Sequence, residues 1–341
     1  MVGKVTEKLG PMFVKELNPI RDTKVIQLLV LRQCHDYAIF RTEETRELNL
    51  VTLPTSVNNH ETTTRVAMLA SKQKAVENRW YEQLLRTAAH DAGIKLKDNQ
   101  EKCTLKDNLC QECPRCTLFG SVSTEGGRGE RYNFKHRIEY STAYSIEDYE
   151  DISELITFNA VDSNTQSTGQ ALGFSENVRP LANFPSIVSL ISVTQEELIA
   201  YIKTLLSCKS YGAESRIKGD MVNLLLGVAA GYEEIITPLE FNLEICASLD
   251  SFKKDPLDFT SKTLAKYKEH AMFKDKVVVL SKEEVKSLVD EIANTQFDKK
   301  FIETIYKQSE TLKQKLPTIS SGSESKSKKE KKATAAPAQP A

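Results

Sequence analysis

Four cysteines fall within fourteen residues, Cys103-x6-Cys110-x2-Cys113-x2-Cys116, while Cys34, Cys208 and Cys246 stand singly. Thiols crowded amid sparse ones point to a metal site rather than a disulfide framework. Two Cys-x2-Cys steps let one tight turn present three ligands, and Cys103 supplies a fourth. Four thiolates complete a tetrahedral shell and leave no position for a water nucleophile, so the expected ion is a structural zinc. The competing assignment is an iron–sulfur cluster, because Cys110-x2-Cys113-x2-Cys116 resembles part of the bacterial ferredoxin run. Cys113-Pro114 departs from that run by placing proline before the last close cysteine. Four unrelated reduced thiols are the third option, and His90 and His136 are the nearest substitutes for a displaced one. A closed site of this kind fixes a compact irregular insertion, so the regular structure must lie on either side of it.

At 341 residues the chain has room for a large core, as one elaborated domain or two. The net charge of −1 gives no overall reason to expect nucleic acid, but local balance differs. Arg65 to Arg79 carries four basic residues against one acidic, and Arg128 to Arg137 repeats that ratio. Glu147, Asp148, Glu150, Asp151 and Glu154 then form an acidic block. Positive patches in a near-neutral chain indicate a directed electrostatic footprint. Residues 1–17 lack the apolar core of a signal peptide, and the strongest apolar runs, such as 222–230, are too short to cross a membrane. A cytoplasmic protein with no membrane partner is expected.

Residues 23–31 are short, apolar and β-branched, predicting a buried strand. Strands are also expected at 37–40, at 48–53 (ended by Pro54), at 155–161, 187–193 and 221–229. Val76, Trp80, Leu84 and Ala88 recur every four residues, with Leu85 widening the stripe, and predict a helix from an N-cap at Ser71 to Gly93. Thr194 and Glu197 form a capping box for a second helix. The order strand, helix, two strands, helix, strand predicts an α+β protein with a ferredoxin-like, RNA-recognition-motif-like core. That core spans 1–92 and 151–250, interrupted by a cysteine-rich zinc-binding lid at 93–150 and a thumb-like hairpin at 162–184. A helical region follows at 251–318, with Ser281 and Asp298 as caps. The Ser-, Lys-, Ala- and Pro-rich tail at 319–341 is expected to be disordered.

Two segments carry candidate phosphate contacts. With Ser71 as cap, Lys72, Gln73 and Lys74 occupy the first helical turn, where free N–H groups and the helix dipole already favour an anion. Arg79 lies on nearly the same line as Lys72, and Arg65 precedes them. Arg128, Arg131, Lys135 and Arg137 follow the cysteines, beside Tyr132, Phe134, Tyr140 and Tyr144, which either stack on bases or face a small core. No catalytic set is complete: Gly-x-Ser-x-Gly, the Walker loop and His-Glu-x-x-His are all missing. Asp36 or Glu61 is the carboxylate through which a metal-dependent ribonuclease would cut a bound target strand, the alternative to a non-catalytic binding protein.

The segments Ser71 to Trp80, Cys110-Gln111-Glu112-Cys113-Pro114-Arg115-Cys116-Thr117-Leu118-Phe119-Gly120 and Arg131 to Tyr140 together resemble one family. It is the Csc-two-type backbone subunit of the type I-D CRISPR effector complex (Cascade), within the Cas-seven group of the RAMP superfamily. The resemblance runs over residues 15 to 315. It implies a subunit that polymerises along a CRISPR guide RNA (crRNA) and presents its bases to target DNA, with RNA as a second candidate target. The implied partners are other copies of the chain and Cas-five-type and Cas-ten-type subunits. In relatives the start of the first helix grips guide phosphates, which transfers to Ser71, Lys72, Gln73, Lys74 and Arg79. A thumb hairpin corresponds by position to Asn164 to Phe174, and the lid with Lys135 and Arg137 lies over a nucleic-acid strand. Type III relatives cleave RNA with an aspartate before the first helix; here 57–65 holds His60 and Glu61 instead, which implies no cleavage.

Overall fold

The computed structural model describes residues 3–41, 46–105, 108–121, 133–158, 164–165, 167, 173–214 and 217–316. Arg128, Arg131, Tyr132, residues 162, 163, 166 and 168–172 of the expected thumb and the tail from 317 lie outside the described residues. Strand β1 (Val25–Cys34) is apolar on both faces and sits at the centre of the main sheet. Hairpin strands β2 (Leu50–Ser56) and β3 (Asn59–Met68) follow, then helix α1 (Ala70–Asp91) and a short α2 (Pro114–Phe119). Next come β4 (Ile138–Tyr140), β5 (Ala143–Tyr144), β6 (Ser153–Phe158), β7 (Gly173–Val178) and β8 (Asn183–Ile191). Helix α3 (Gln195–Ser207) leads to β9 (Met221–Gly231), then α4 (Pro238–Ala247) and α5 (Pro256–His270). Strand β10 (Val278–Val279), α6 (Lys282–Asn294) and α7 (Lys299–Gln314) follow, and short helical turns lie between these elements.

The main sheet has the order β10-β9-β1-β8-β4 and is antiparallel at every pairing. Strand β1 runs Val25 against Ile191 on one side and Gly231 on the other, with a bulge at Leu29/Val30. Helices cover both faces of this strand, so its side chains are buried on either side and the run is apolar apart from Gln27, Arg32 and Gln33. Ile26, Leu28 and Val30 point into the core shared with α1, α3, α6 and α7. Leu29 and Leu31 point into the opposite core, with Phe241 and Ile245 of α4 and Leu264 of α5.

Several expectations change. The second core strand is β4, at 138–140, whereas the strand expected at 155–161 is β6, which among the described residues pairs with β7 in a separate ribbon. Tyr37 to Phe40 contributes one bridge, Ala38 to Val178, rather than a strand. Pro54 does not end β2 but lies within it opposite Thr62, on an edge that tolerates a missing donor. Helix α1 begins earlier, with Leu69 at the N-cap and no side chain capping it, so Ser71 is already inside the helix. Its buried stripe is Gln73, Glu77, Tyr81, Leu85 and Ala89, one residue out of phase with the expected one, and Trp80 is 41% exposed. The capping box of Thr194 and Glu197 forms as expected, as do the caps at Ser281 and Asp298.

Candidate metal centre and cationic face

Cys103, Cys110, Cys113 and Cys116 are all buried, and their sulfurs lie within 4.8 Å of one another. The Cys103 sulfur is 3.5 Å from that of Cys116 and 3.9 Å from that of Cys113, so neither pair is a disulfide. A tetrahedral ion with metal–sulfur bonds of about 2.3 Å holds sulfurs about 3.8 Å apart, and the two distances bracket that value. The larger cage of an iron–sulfur cluster would spread the thiolates further. Backbone N–H groups of Cys110, Glu112 and Cys116 donate to the sulfurs of Cys103, Cys110 and Cys113 at 3.3 to 3.5 Å. Such donors suit thiolates rather than thiols. The four residues therefore fit one tetrahedral ion.

The loop is held from both sides. On α1, the Arg86 Nη2 donates to the carbonyls of Gln100 at 3.0 Å and Cys103 at 2.5 Å, while Asn78 Oδ1 accepts from Arg115 Nε at 2.8 Å. On α7, Lys313 donates to the Cys110 carbonyl, Glu310 accepts from Gln100, and Ser309 meets Thr117. Gly120 ends α2 at φ +85°, where a Cβ would lie 2.9 Å from the His136 nitrogen. Only glycine fits that close return of the chain.

Beside this loop the start of α1 exposes Ser71, with Lys72 and Lys74 partly covered, and Lys135 exposed on the neighbouring segment. Among the described residues the side chains of Lys72, Lys74, Arg79 and Lys135 form no hydrogen bond or ion pair. Burial and the nearby Arg115 guanidinium lower the Lys74 ammonium below its ordinary range, with Glu139 opposing. Burial and Lys74 likewise lower the His136 imidazole, which Lys135 and Arg21 reinforce. Burial is the first cause of both shifts and neighbouring cations the second, while Glu139, 3.9 Å from the His136 Nε2, opposes both. The sequence offers His136 as a substitute metal ligand and within the basic segment Arg131 to Tyr140, but gives no sign that Lys74 lies beside it.

Three expected phosphate contacts are instead internal, which corrects their assignment. Arg137 is 3% exposed, pairs with both Glu197 oxygens (Nη1 to Oε2 at 2.8 Å), and donates to the carbonyls of Thr117 and Ser192. Arg65 is equally buried, donating to the carbonyls of Ser145, Ile146 and Thr55, with Asp148 at 3.6 Å. Gln73 is fully buried and ties the carbonyls of Met68 and Ser141 together at the turn into α1. A buried guanidinium needs its partners, so neither arginine is available to a ligand.

Beneath α1 lies a network that no local pattern signalled. Fully buried Glu77 accepts from Arg32 at 2.6 Å, Tyr211 at 2.8 Å, Tyr140 at 2.7 Å and Tyr201 at 2.5 Å. Arg32 also reaches Ser186 and Asn223. The network joins β1, α1, β4, α3 and β9, and it places Tyr140 in the core rather than against a base. Asp36 and Glu61 stand apart from any such grouping: the Asp36 amide donates to the Asp220 carbonyl, and Glu61 sits exposed near Asn59. Among the described residues, the four cysteines are the sole set of three or more His, Cys, Asp or Glu side chains within reach of one ion.

These features define an antiparallel α+β protein with a four-cysteine loop strapped beside a lysine-bearing helix start that no side chain caps. The family model described as Csc2 Crispr matches residues 12–306, and the chain belongs to that family. It is similar to the crystal structure of Thermofilum pendens Csc2, at 20% identity and a TM-score of 0.63, over 90% of this chain and 93% of that one. It also matches a chain of a CRISPR RNA-guided surveillance complex at 11% identity and a TM-score of 0.44, over 71% and 84%. A chain of a Type IV-B CRISPR complex matches at 12% and 0.41, over 58% and 90%. No curated protein matches the chain.

Proposed function

We propose that the chain is a non-catalytic, guide-RNA-binding backbone subunit of a type I-D CRISPR surveillance complex. Copies polymerise along the crRNA spacer and present it for pairing with target DNA, and with RNA as a second candidate, alongside Cas-five-type and Cas-ten-type subunits in the cytoplasm. The observation that carries this reading is the group of lysines without ion-pair partners among the described residues, Lys72, Lys74 and Lys135, at and beside the start of α1, which no side chain caps. Ser71 and Arg79 extend it along the same helix. Backbone N–H groups and point charges hold phosphates without regard to sequence, leaving specificity to base pairing.

Membership of the Csc2 family supports the CRISPR assignment. In the main sheet, β9, β1, β8 and β4 stand in the order fourth, first, third, second, which supports a ferredoxin-like, RNA-recognition-motif-like core. Sulfur spacing supports zinc at the four cysteines, where it stabilises the loop and performs no chemistry on substrate. The test is to mix purified, nucleic-acid-free protein with long single-stranded RNA and image it in negative stain. Helical filaments of fixed pitch are expected; isolated particles with RNA left unbound would overturn the reading.

A further inference from the structure

Trp80 is the chain's single tryptophan, and α1 holds it at the surface, 41% exposed. Its one polar side-chain atom is already satisfied: Nε1 donates to the Ser207 hydroxyl at 2.8 Å, and that hydroxyl donates to the Thr204 carbonyl at 3.1 Å. Four residues earlier, Val76 packs against the core that holds Cys208 and Tyr211. The indole edge is therefore pinned to the end of α3 while part of its flat apolar ring stays in solvent. A rigid aromatic surface of this kind loses little freedom when something stacks on it.

Its surroundings carry one sign of charge. Arg79 and Lys209 are exposed, and Lys72 lies seven residues before Arg79 on nearly the same line of the helix. Among the described residues the side chains of these three form no ion pair or hydrogen bond. Seven residues rise about 10 Å, so the line leads from the lysines at the start of α1 to the indole. Burial and then Glu77 raise the Cys208 thiol, and Arg79 is among the groups opposing them, which puts its guanidinium on the α3 side with Trp80. Neighbouring carboxylates are engaged elsewhere: Glu77 is buried on Arg32, Glu82 pairs with Arg86, and Asp220 with Lys218. An exposed tryptophan beside an arginine also suits a protein contact, but a run of cations without acidic partners fits a polyanion.

We propose that Trp80 is a stacking platform for one base of a bound single-stranded RNA, with Arg79 and Lys209 on the flanking phosphates. The inference rests on the guide-RNA reading above and adds a base contact to the phosphate contacts at the start of α1. Every base has a π-face, so the platform accepts any sequence. It also tells a single strand from a duplex, whose bases are already stacked on one another.

In the experiment the full chain is titrated with end-labelled oligouridylate and with a strand of the same length lacking bases, reading tryptophan emission and label anisotropy together. Oligouridylate should quench the emission, and the abasic strand should bind through its phosphates without quenching. Trp80→Leu should weaken oligouridylate binding by about 10-fold, within the usual range for one stacked base, and leave abasic binding and the salt slope unchanged. Trp80→Phe should recover most of that loss, and Arg79→Ala should weaken both strands alike. Emission unchanged by bound oligouridylate, parental affinity in Trp80→Leu, or an equal loss on the abasic strand with circular dichroism unchanged overturns the stacking alone. So does a Trp80→Leu chain that binds RNA as the parent does but no longer assembles into filaments, which makes the indole a contact between copies. Parent protein that binds neither strand overturns the guide-RNA reading with it.

Discussion

Lys72, Lys74 and Lys135 are the lysines left without acidic partners beside the metal loop, and replacing all three by alanine should change the salt dependence of RNA binding. Each phosphate neutralised on a single strand contributes about 0.7 to the slope of log affinity against log salt, so three lost contacts flatten it by about 2. Between roughly 50 and 200 mM salt, that makes the variant's loss of affinity about 20-fold smaller than the parent's. Fluorescence anisotropy of labelled single-stranded RNA across a salt series measures the slope directly. Two unrelated RNA sequences should give the same change, because phosphates are common to both.

The comparison that sharpens this prediction is Arg137→Ala. Arg137 and Glu197 are almost wholly buried, and truncating one member of such a pair costs about 3–5 kcal/mol of stability. This variant should lower the urea midpoint strongly while its folded fraction keeps the parental slope. The reasoning fails if the triple lysine variant retains the slope, if only one RNA sequence is affected, or if Arg137→Ala flattens the slope at unchanged stability.

His136 gives a pH test: burial and then Lys74 hold it below its ordinary 6.5, so the free protein carries it neutral, and the fold loses stability as pH falls through that value. A phosphate alongside favours the imidazolium, so RNA affinity should rise as pH drops from about 8 to 6, and His136→Gln should flatten the rise in anisotropy titrations. Glu77→Gln leaves Arg32 buried without a counter-ion and should cost about 3–5 kcal/mol in urea denaturation, more than Glu77→Leu combined with Arg32→Met, which removes both charges. Cys113→Ser should lower the zinc content below one per chain by elemental analysis and reduce the melting temperature, because ligand loss releases a loop that two helices hold.

What could be foreseen from the chain separates by the range of the interactions involved. The cysteine cluster, the capping box of Thr194 and Glu197, the caps at Ser281 and Asp298, and the apolar strands β1, β8 and β9 are local patterns, legible within a dozen residues. Strand β4 was missed because three residues, Ile138, Glu139 and Tyr140, carry too little periodicity to distinguish them from the basic segment they end. The stripe of α1 was displaced by one residue because Gln73 and Glu77 are polar yet face inward, Gln73 on the Met68 and Ser141 carbonyls and Glu77 on Arg32 from β1 and tyrosines from β4, α3 and further along the chain. Arg137 meets Glu197 sixty residues later. A count of charge along the sequence registers the cation without the acid that the fold brings to it. Lys74 and Arg137 are alike in that count; the tertiary structure gives Arg137 a bonded carboxylate and leaves Lys74 without one, and on the present reading it is Lys74 that a phosphate completes.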